Sequence, residues 1–394
     1  MLPLQHLTIL DLSRVLACPY ASMILAELGA TVIKVEQPGS GDETRGFEPQ
    51  LAQDSAYYFA CNRSKASITV NLRSAEGREV VRDLARTADV LVENFPTGTL
   101  ARRGLDYAAL SALNPRLVYV SCTGFGQTGP YAHKKGYDTV FQAMGGIMSL
   151  TGEKGGGPVK PGLPVADLTS GLWVAIAILA SLAGRERSGS GCHVDFSMLD
   201  GQVSLLSLAA ARWFALGEVP PRLGTEHPGR VPSASFRCAD GRYAHVTASD
   251  QHWAPLCKAL GLEAWGADAR FADNAARVEH REPAMAGLTA AIGVLTRAEL
   301  IARLDAADVP VGPVNDVAEI LADPHVAARG LVGEFEYPGV GRFRGLGLPY
   351  KFAGFDDPRV GAPPTLGQHT DEILAQRLGY SAEKIARLRE AKAI

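Results

Sequence analysis

The stretch LTILDLSRVLACPYASMILAELGATVIKVE (7–36) decides the fold. Leu7 to Leu12 is a short run of strand formers. Residues 18–29 carry apolar side chains at helical spacing and stop at Gly29. Thr31 to Glu36 is a second strand-forming run. Strand, helix and strand within about 30 residues make a βαβ unit, and that connection makes the two strands parallel. The pattern continues downstream. Residues 67–72 (SITVNL) and 89–93 (DVLVE) read as strands around an amphipathic helix at 75–87, and 117–122 (LVYVSC) reads as another strand. Alternation of this kind predicts a doubly wound, Rossmann-like α/β layer. Ligands of such sheets sit beyond the carboxyl ends of the strands. That rule selects Ser13–Ala17, Glu36–Asp42, Asn94–Gly98 and Ser121–Gly129.

The middle of the chain changes character. Residues 151–166 (TGEKGGGPVKPGLPVA) are rich in Gly and Pro and predict a loop. Asp167-Leu168-Thr169-Ser170 then opens an apolar helix over 171–184. A strand is expected at 192–197 and one long helix from 198 to 217. Pro220 to Pro232 reads as a hinge, followed by a hairpin over 234–247 around Asp240-Gly241. The expected domains are therefore a large α/β domain from 1–219 plus 326–394 and a smaller inserted α+β domain at 220–325.

Composition narrows the function. The 394 residues are 46 % hydrophobic and 21 % charged, with a formal net charge of −3. A polyanionic partner such as nucleic acid would call for a basic stripe, and none is visible. The longest apolar run, Leu172 to Leu182, is shorter than the ~20 residues of a bilayer span and reads as a buried helix. No basic leader with an apolar core opens the chain, and the six cysteines are scattered without a C-x-x-C pair. The expectation is a cytoplasmic protein with reduced thiols, without membrane, nucleic-acid partner or metal site. No G-x-G-x-x-G follows the first strand, and neither a P-loop nor a G-x-S-x-G elbow occurs.

Asp167 stands out because it lies between a Gly/Pro loop and an apolar helix. On position alone it reads as an N-cap, whose carboxylate accepts from free helix N–H groups. The same placement leaves a carboxylate at the edge of a buried site.

Six stretches together resemble the class III CoA-transferase family, the CaiB/BaiF type that includes formyl-CoA transferase. They are LDLSRV…GDETR (10–45), DVLVENFPTGTLARRGL (89–105), NPRLVYV…FQAMGG (114–146), PVADLTSGLWVAIAILASL (164–182), VPVGPVNDVAEILADPHVAARGL (309–331) and PTLGQHTDEIL (364–374). The resemblance implies an interlocked homodimer and catalysis by Asp167 through an aspartyl-CoA thioester. It implies no permanently bound cofactor, coenzyme A thioester being a substrate. It assigns Val15, Leu16, Ala17, Val70, Asn94, Phe95, Arg102, Lys135 and Tyr137 to the CoA site. The related racemases carry His where Tyr137 stands, and a phenol is a poor base near neutrality, so transfer is favoured over the alternative of 2-methylacyl-CoA racemisation. His227 and Arg230 are candidate contacts to a second substrate carboxylate. The expected donor is succinyl-CoA, and the expected acceptor a small dicarboxylate such as itaconate, citramalate or glutarate.

Overall fold

The computed structural model describes residues 1–394, which divide into two compact units. The first comprises residues 1–147, 160–211 and 324–394, and the second 148–159 and 212–323. The main segment of the second unit thus runs from Arg212 to Asp323 rather than over 220–325. The second unit also takes in 148–159, a piece of the Gly/Pro segment that the sequence reading left with the large domain.

The first unit is built on six parallel strands: β1 (Thr8–Asp11), β2 (Thr31–Glu36), β3 (Ala66–Thr69), β4 (Val90–Glu93), β5 (Val118–Thr123) and β6 (His193–Ser197). Their spatial order is β3-β2-β1-β4-β5-β6. Thr8 lies opposite Thr31 and Asp11 opposite Lys34, which is the register expected of the opening βαβ unit. Because both faces are covered, alternate residues of one strand enter different cores. Ile9, Val32, Val90 and Val92 pack against Cys18, Ala21 and Leu25 of α1 (Ala17–Glu27), together with Val174 and Ile178 of a long helix. Leu10, Ile33, Val35 and Leu91 pack on the opposite face against Val80, Val81 and Leu84 of α2 (Ala75–Ala85). Leu374, Ile385 and Leu388 from the C-terminal helices complete that second core. The direction of winding reverses between β1 and β4, so the loops after these two strands diverge and leave a crevice.

A short helix, α3 (Asp138–Met144), precedes the long helix α4, which spans Val165–Ser188. Two expectations need correction at α4. Asp167 is not its N-cap: the helix begins at Val165, with Pro164 preceding it, so Asp167 sits inside the first turn. Nor is α4 buried all round. Ser170, Val174, Ile178 and Leu182 face the core, whereas Leu172, Trp173, Ile176 and Leu179 are exposed. At 24 residues it is long and apolar enough to cross a membrane, well beyond the 11-residue run read from the sequence. The helix expected over 198–217 is broken at Leu206 into Met198–Leu205 and Ser207–Leu216.

The second unit carries an antiparallel sheet of β7 (Ser233–Arg237), β8 (Tyr243–Thr247) and β9 (Val311–Pro313). The β7–β8 turn uses Gly241 at φ +78°, a conformation that suits glycine. Its own core gathers Phe236, Trp253, Leu256, Leu288 and Leu300.

Candidate active site

A cavity of about 660 Å³ opens at the β1/β4 crevice. Its walls come from the ends of four strands: Ser13 and Arg14 after β1, Gln37 to Glu43 after β2, Val70 after β3, and Phe95 with Pro96 after β4.

A buried ionic lattice shapes these loops. Asp11 is fully buried and accepts from the Ser22 hydroxyl at 2.6 Å and the Lys65 ammonium at 3.0 Å. Burial opposes its ionisation, yet Lys65 and Lys34 hold its carboxyl well below the usual range. Burial in turn brings Lys65 down to about 8, against the pull of Asp11. Lys34 donates to the Ser13 carbonyl at 3.0 Å and pairs with Asp42 at 2.8 Å. Arg45 grips Glu36 through two nitrogens at 2.8 and 2.7 Å, and reaches Asp54 at 2.7 Å. Such paired charges are costly to break singly, so the lattice rigidifies the cavity floor.

The lattice holds Val15 in the left-handed region at φ +69°, where a β-branched residue is strained. Its N–H donates to Asp42 Oδ1 at 3.2 Å. Nearby, the Asn94 carboxamide clamps the backbone of Arg14, accepting from its N–H at 2.9 Å and donating to its carbonyl at 2.7 Å. The Arg14 guanidinium lies 4.9 Å from the centre of the Phe95 ring. Arg73 and Arg103 also line the cavity. Burial, followed by the fields of Arg73, Arg102, Arg78 and Arg14, makes the charged form of Arg103 less favourable than usual. Clustered guanidinium groups that repel one another in this way are suited to an anion.

Asp167 is half-buried. Burial first, and then the negative charge of Asp138, push its carboxyl up to about 7. Asp138 Oδ1 accepts from the N–H groups of Ala166 at 2.9 Å and of Asp167 at 3.2 Å, so Asp138 caps α4 from outside. Its other oxygen accepts from Gln142 Nε2 at 2.5 Å. The phenol of Tyr57, pushed up to about 12 chiefly by burial, feels both carboxylates. Gly171, one turn beyond Asp167, lies so close to α1 that an added Cβ would come within 2.6 Å of the Ala17 carbonyl. Asp167 therefore lies about 6 Å along the helix axis from the α1 contact, and it is not among the residues that line the cavity.

Of the residues selected from sequence, Val70 and Phe95 line the cavity. Asn94 and Val15 are tied into its walls by the hydrogen bonds above. Leu16 and Ala17 are buried at the start of α1, behind the lining. Arg102 is exposed outside the lining, and its neighbour Arg103 takes the place on the wall. Lys135 and Tyr137 lie on the exposed segment before α3, and Tyr137 is 81 % exposed. His227 and Arg230 are exposed in the second unit, where His227 Nδ1 accepts from the Gly229 N–H at 3.1 Å. Asp138, Tyr57, Arg73 and Lys34 escaped the sequence reading, while Arg14 and Asp42 fell inside selected strand-end segments without a role of their own. The one available signal was adjacency: Asp138 directly follows Tyr137 in a stretch already selected.

The model of CoA-transferase family III matches residues 4–370. The chain is 38 % identical over 389 residues to the succinyl-CoA:glutarate CoA-transferase of Mus musculus, covering 98 % of this chain and 89 % of that one. It is 40 % identical over 381 residues to the succinate–glutarate CoA-transferase of Agrobacterium fabrum, covering 95 % of each. The crystal structure of a CaiB/BaiF family protein from Brucella suis superposes with a TM-score of 0.86 at 41 % identity, covering 95 % of this chain and 99 % of that one. With the parallel sheet, the crevice and these matches in agreement, the chain belongs to CoA-transferase family III.

Proposed function

We propose that this enzyme transfers coenzyme A from succinyl-CoA to a small dicarboxylate through a thioester on Asp167. The observation that carries the reading is the state of Asp167. It is a half-buried carboxylate pushed up to about 7, in the first turn of α4, the helix whose Gly171 packs against the Ala17 end of α1. A carboxylate shielded from water and flanked by a second negative charge is more nucleophilic than an aspartate in solvent.

In the proposed sequence Asp167 attacks the acyl carbon of the donor, and the carbon–sulfur bond breaks to release the CoA thiolate and form a mixed anhydride. The thiolate attacks the aspartyl carbonyl and expels the donor carboxylate, leaving aspartyl-CoA. The acceptor carboxylate attacks that thioester and releases the thiolate again. Attack of the thiolate on the acceptor carbonyl of the new anhydride restores Asp167. No net proton or electron is consumed. The cavity is the proposed nucleotide site, with Val70 and Phe95 as apolar walls and the Arg14, Arg73 and Arg103 group facing the phosphates.

A glutarate-sized acceptor is supported by the names of the two relatives above. His227 and Arg230 remain the proposed contacts to its distal carboxylate. Tyr137, at the position where the racemases place His, favours transfer over α-proton exchange. The six free cysteines suit a reducing, cytoplasmic setting. The exposed apolar row on α4 supports a homodimer.

A panel of mono- and dicarboxylic acids, assayed with succinyl-CoA, tests the substrate class. Glutarate and its neighbours in length should be converted with the highest kcat/KM. Conversion of monocarboxylates alone would reject the dicarboxylate reading.

A further inference from the structure

The first turn of α4 has no cap within its own segment. Pro164 offers no side-chain acceptor, and the residues before it are rich in Gly and Pro. Helix ends without partners for their amides fray. Two glutamines from neighbouring helices hold this one. Gln142 on α3 is fully buried. Its Nε2 donates to Asp138 Oδ2 at 2.5 Å and reaches the Leu163 carbonyl at 3.4 Å, while Asp138 Oδ1 takes the Ala166 and Asp167 amides. Gln202, fully buried on the helix Met198–Leu205, donates from Nε2 to Thr169 Oγ1 at 3.1 Å. The Thr169 hydroxyl donates in turn to the Val165 carbonyl at 2.6 Å. The two glutamines belong to one packed cluster, since a Cβ added to Gly145 at the end of α3 would lie 2.4 Å from Gln202 Cβ. Asp167 thus stands between two side-chain ties, each anchored on a buried carboxamide.

Neither carboxamide is placed for stability. Gln142 Oε1 and Gln202 Oε1 are both buried and find no hydrogen-bond donor in the protein. Turning the Gln142 amide over would set its oxygen against the oxygens of Asp138 and Leu163. Turning Gln202 over would set its oxygen against Thr169 Oγ1, whose proton already goes to Val165. A buried carbonyl oxygen without a donor costs stability. Methionine, of similar length and volume, would fill either place without that cost.

We propose that Gln142 and Gln202 are positioning residues for Asp167, retained for what their nitrogens hold. The inference rests on the reading of Asp167 as the nucleophile. By fixing the turn at 163–169, the two ties set the direction in which the carboxylate meets the acyl carbon. Attack tolerates little error, a displacement of about 1 Å costing on the order of 10²-fold in rate. Neither glutamine lines the first cavity, nor a second one of about 370 Å³ that shares Phe95, Pro96 and Thr99 with it. Their effect therefore belongs to the chemical step and not to the binding of CoA.

Gln142→Met and Gln202→Met, made separately in the full chain, test this. The groups left behind are provided for: Leu163 and Asp138 reach solvent, and Thr169 keeps its bond to Val165. Each variant should therefore melt at or above the temperature of the parent. Each is then mixed with succinyl-CoA and hydroxylamine, which attacks the aspartyl carbonyl of the thioester, releases CoA and leaves a hydroxamate on Asp167. The maximal rate of labelling should fall about ten- to a hundredfold, at an unchanged half-saturating concentration of succinyl-CoA. Labelling at the parent's rate overturns the proposal. A melting point that falls together with the rate, or a variant that does not fold, makes that glutamine part of the scaffold and overturns its role equally. A higher half-saturating concentration at an unchanged maximal rate places the effect in binding and also overturns it. If the parent itself gives no hydroxamate on Asp167, the reading of that residue fails and this inference with it. A labelled parent with equally labelled variants removes this inference alone.

Discussion

Asp167 and Asp138 divide between them two jobs that the sequence reading gave to one residue. A carboxylate next to an apolar helix reads as a cap, yet the α4 amides of Ala166 and Asp167 are capped by Asp138, from 29 residues upstream. Asp167 keeps its oxygens free of that duty. Nothing in a single sequence encodes such a distant cap, whereas Asp167 stood out by its place between a Gly/Pro loop and an apolar helix and took its catalytic role from the family resemblance. The arrangement has consequences for pH. In the proposed mechanism Asp167 must be ionised to attack, so kcat should fall as pH drops through about 7. Replacing Asp138 with Asn keeps an oxygen acceptor for the cap but removes the neighbouring charge. The acid limb of the kcat profile should then move to lower pH, and an unmoved limb would show that Asp138 acts only as a cap. Stability responds with a fixed sign. Folded Asp167 holds its proton to about 7, above the unfolded value, so its contribution to stability is full below the unfolded pKa and is lost as pH rises through about 7. Asp167→Asn should therefore be more stable than the parent at pH 8, by roughly 2 kcal/mol on thermal melting, while losing at least ~10³-fold in kcat. Equal melting points would deny the buried, raised carboxyl.

Among the elements, the βαβ opening was the most legible part of the chain. Its periodicities switch cleanly at Gly29, and the sheet that follows obeys the ordering rule of doubly wound folds. Three of the four segments chosen by the strand-end rule border the first cavity, and residues of the fourth, Ser121 and Gln127, border the second. Less legible was the length of α4. Its first turn, at Val165 to Leu168, lies against a Gly/Pro loop whose composition argues for irregular structure, and the Asp138 carboxylate supplies the cap that lets the helix start early. Equally hidden was the Lys34–Asp42 and Arg45–Glu36 lattice, since charged residues inside a strand read as exposed until partners from distant loops are known. The α1–α4 contact fixes the first turns of α4, and at Gly171 there is no room for a side chain against the Ala17 carbonyl. Gly171→Val should force the helices apart, costing about 1–3 kcal/mol of stability, and lower kcat more than it raises KM for the acyl-CoA. Thermal melts and steady-state kinetics check it, and wild-type kcat would mean that the contact does not place the carboxylate.

At the level of the whole molecule, a chain that works alone in water would be expected to cover Leu172, Trp173, Ile176 and Leu179, and α4 instead presents them on one exposed face. The sequence reading took this segment as buried because an apolar run has no way to say which chain buries it. If a second copy covers it, Ile176→Asp should convert a dimer to monomers on light scattering and abolish most turnover, and a monomeric parent would contradict the homodimer. Above every contact and assembly, the proposed transfer turns on the chemistry of one side chain. The enzyme should be mixed with succinyl-CoA in the absence of acceptor, quenched with hydroxylamine and digested for peptide mass spectrometry. A hydroxamate should form on Asp167 in the parent and be lost when Asp167 is replaced by Asn. An unmodified Asp167 peptide from an enzyme that is turning over, or a modification at another residue, would contradict it.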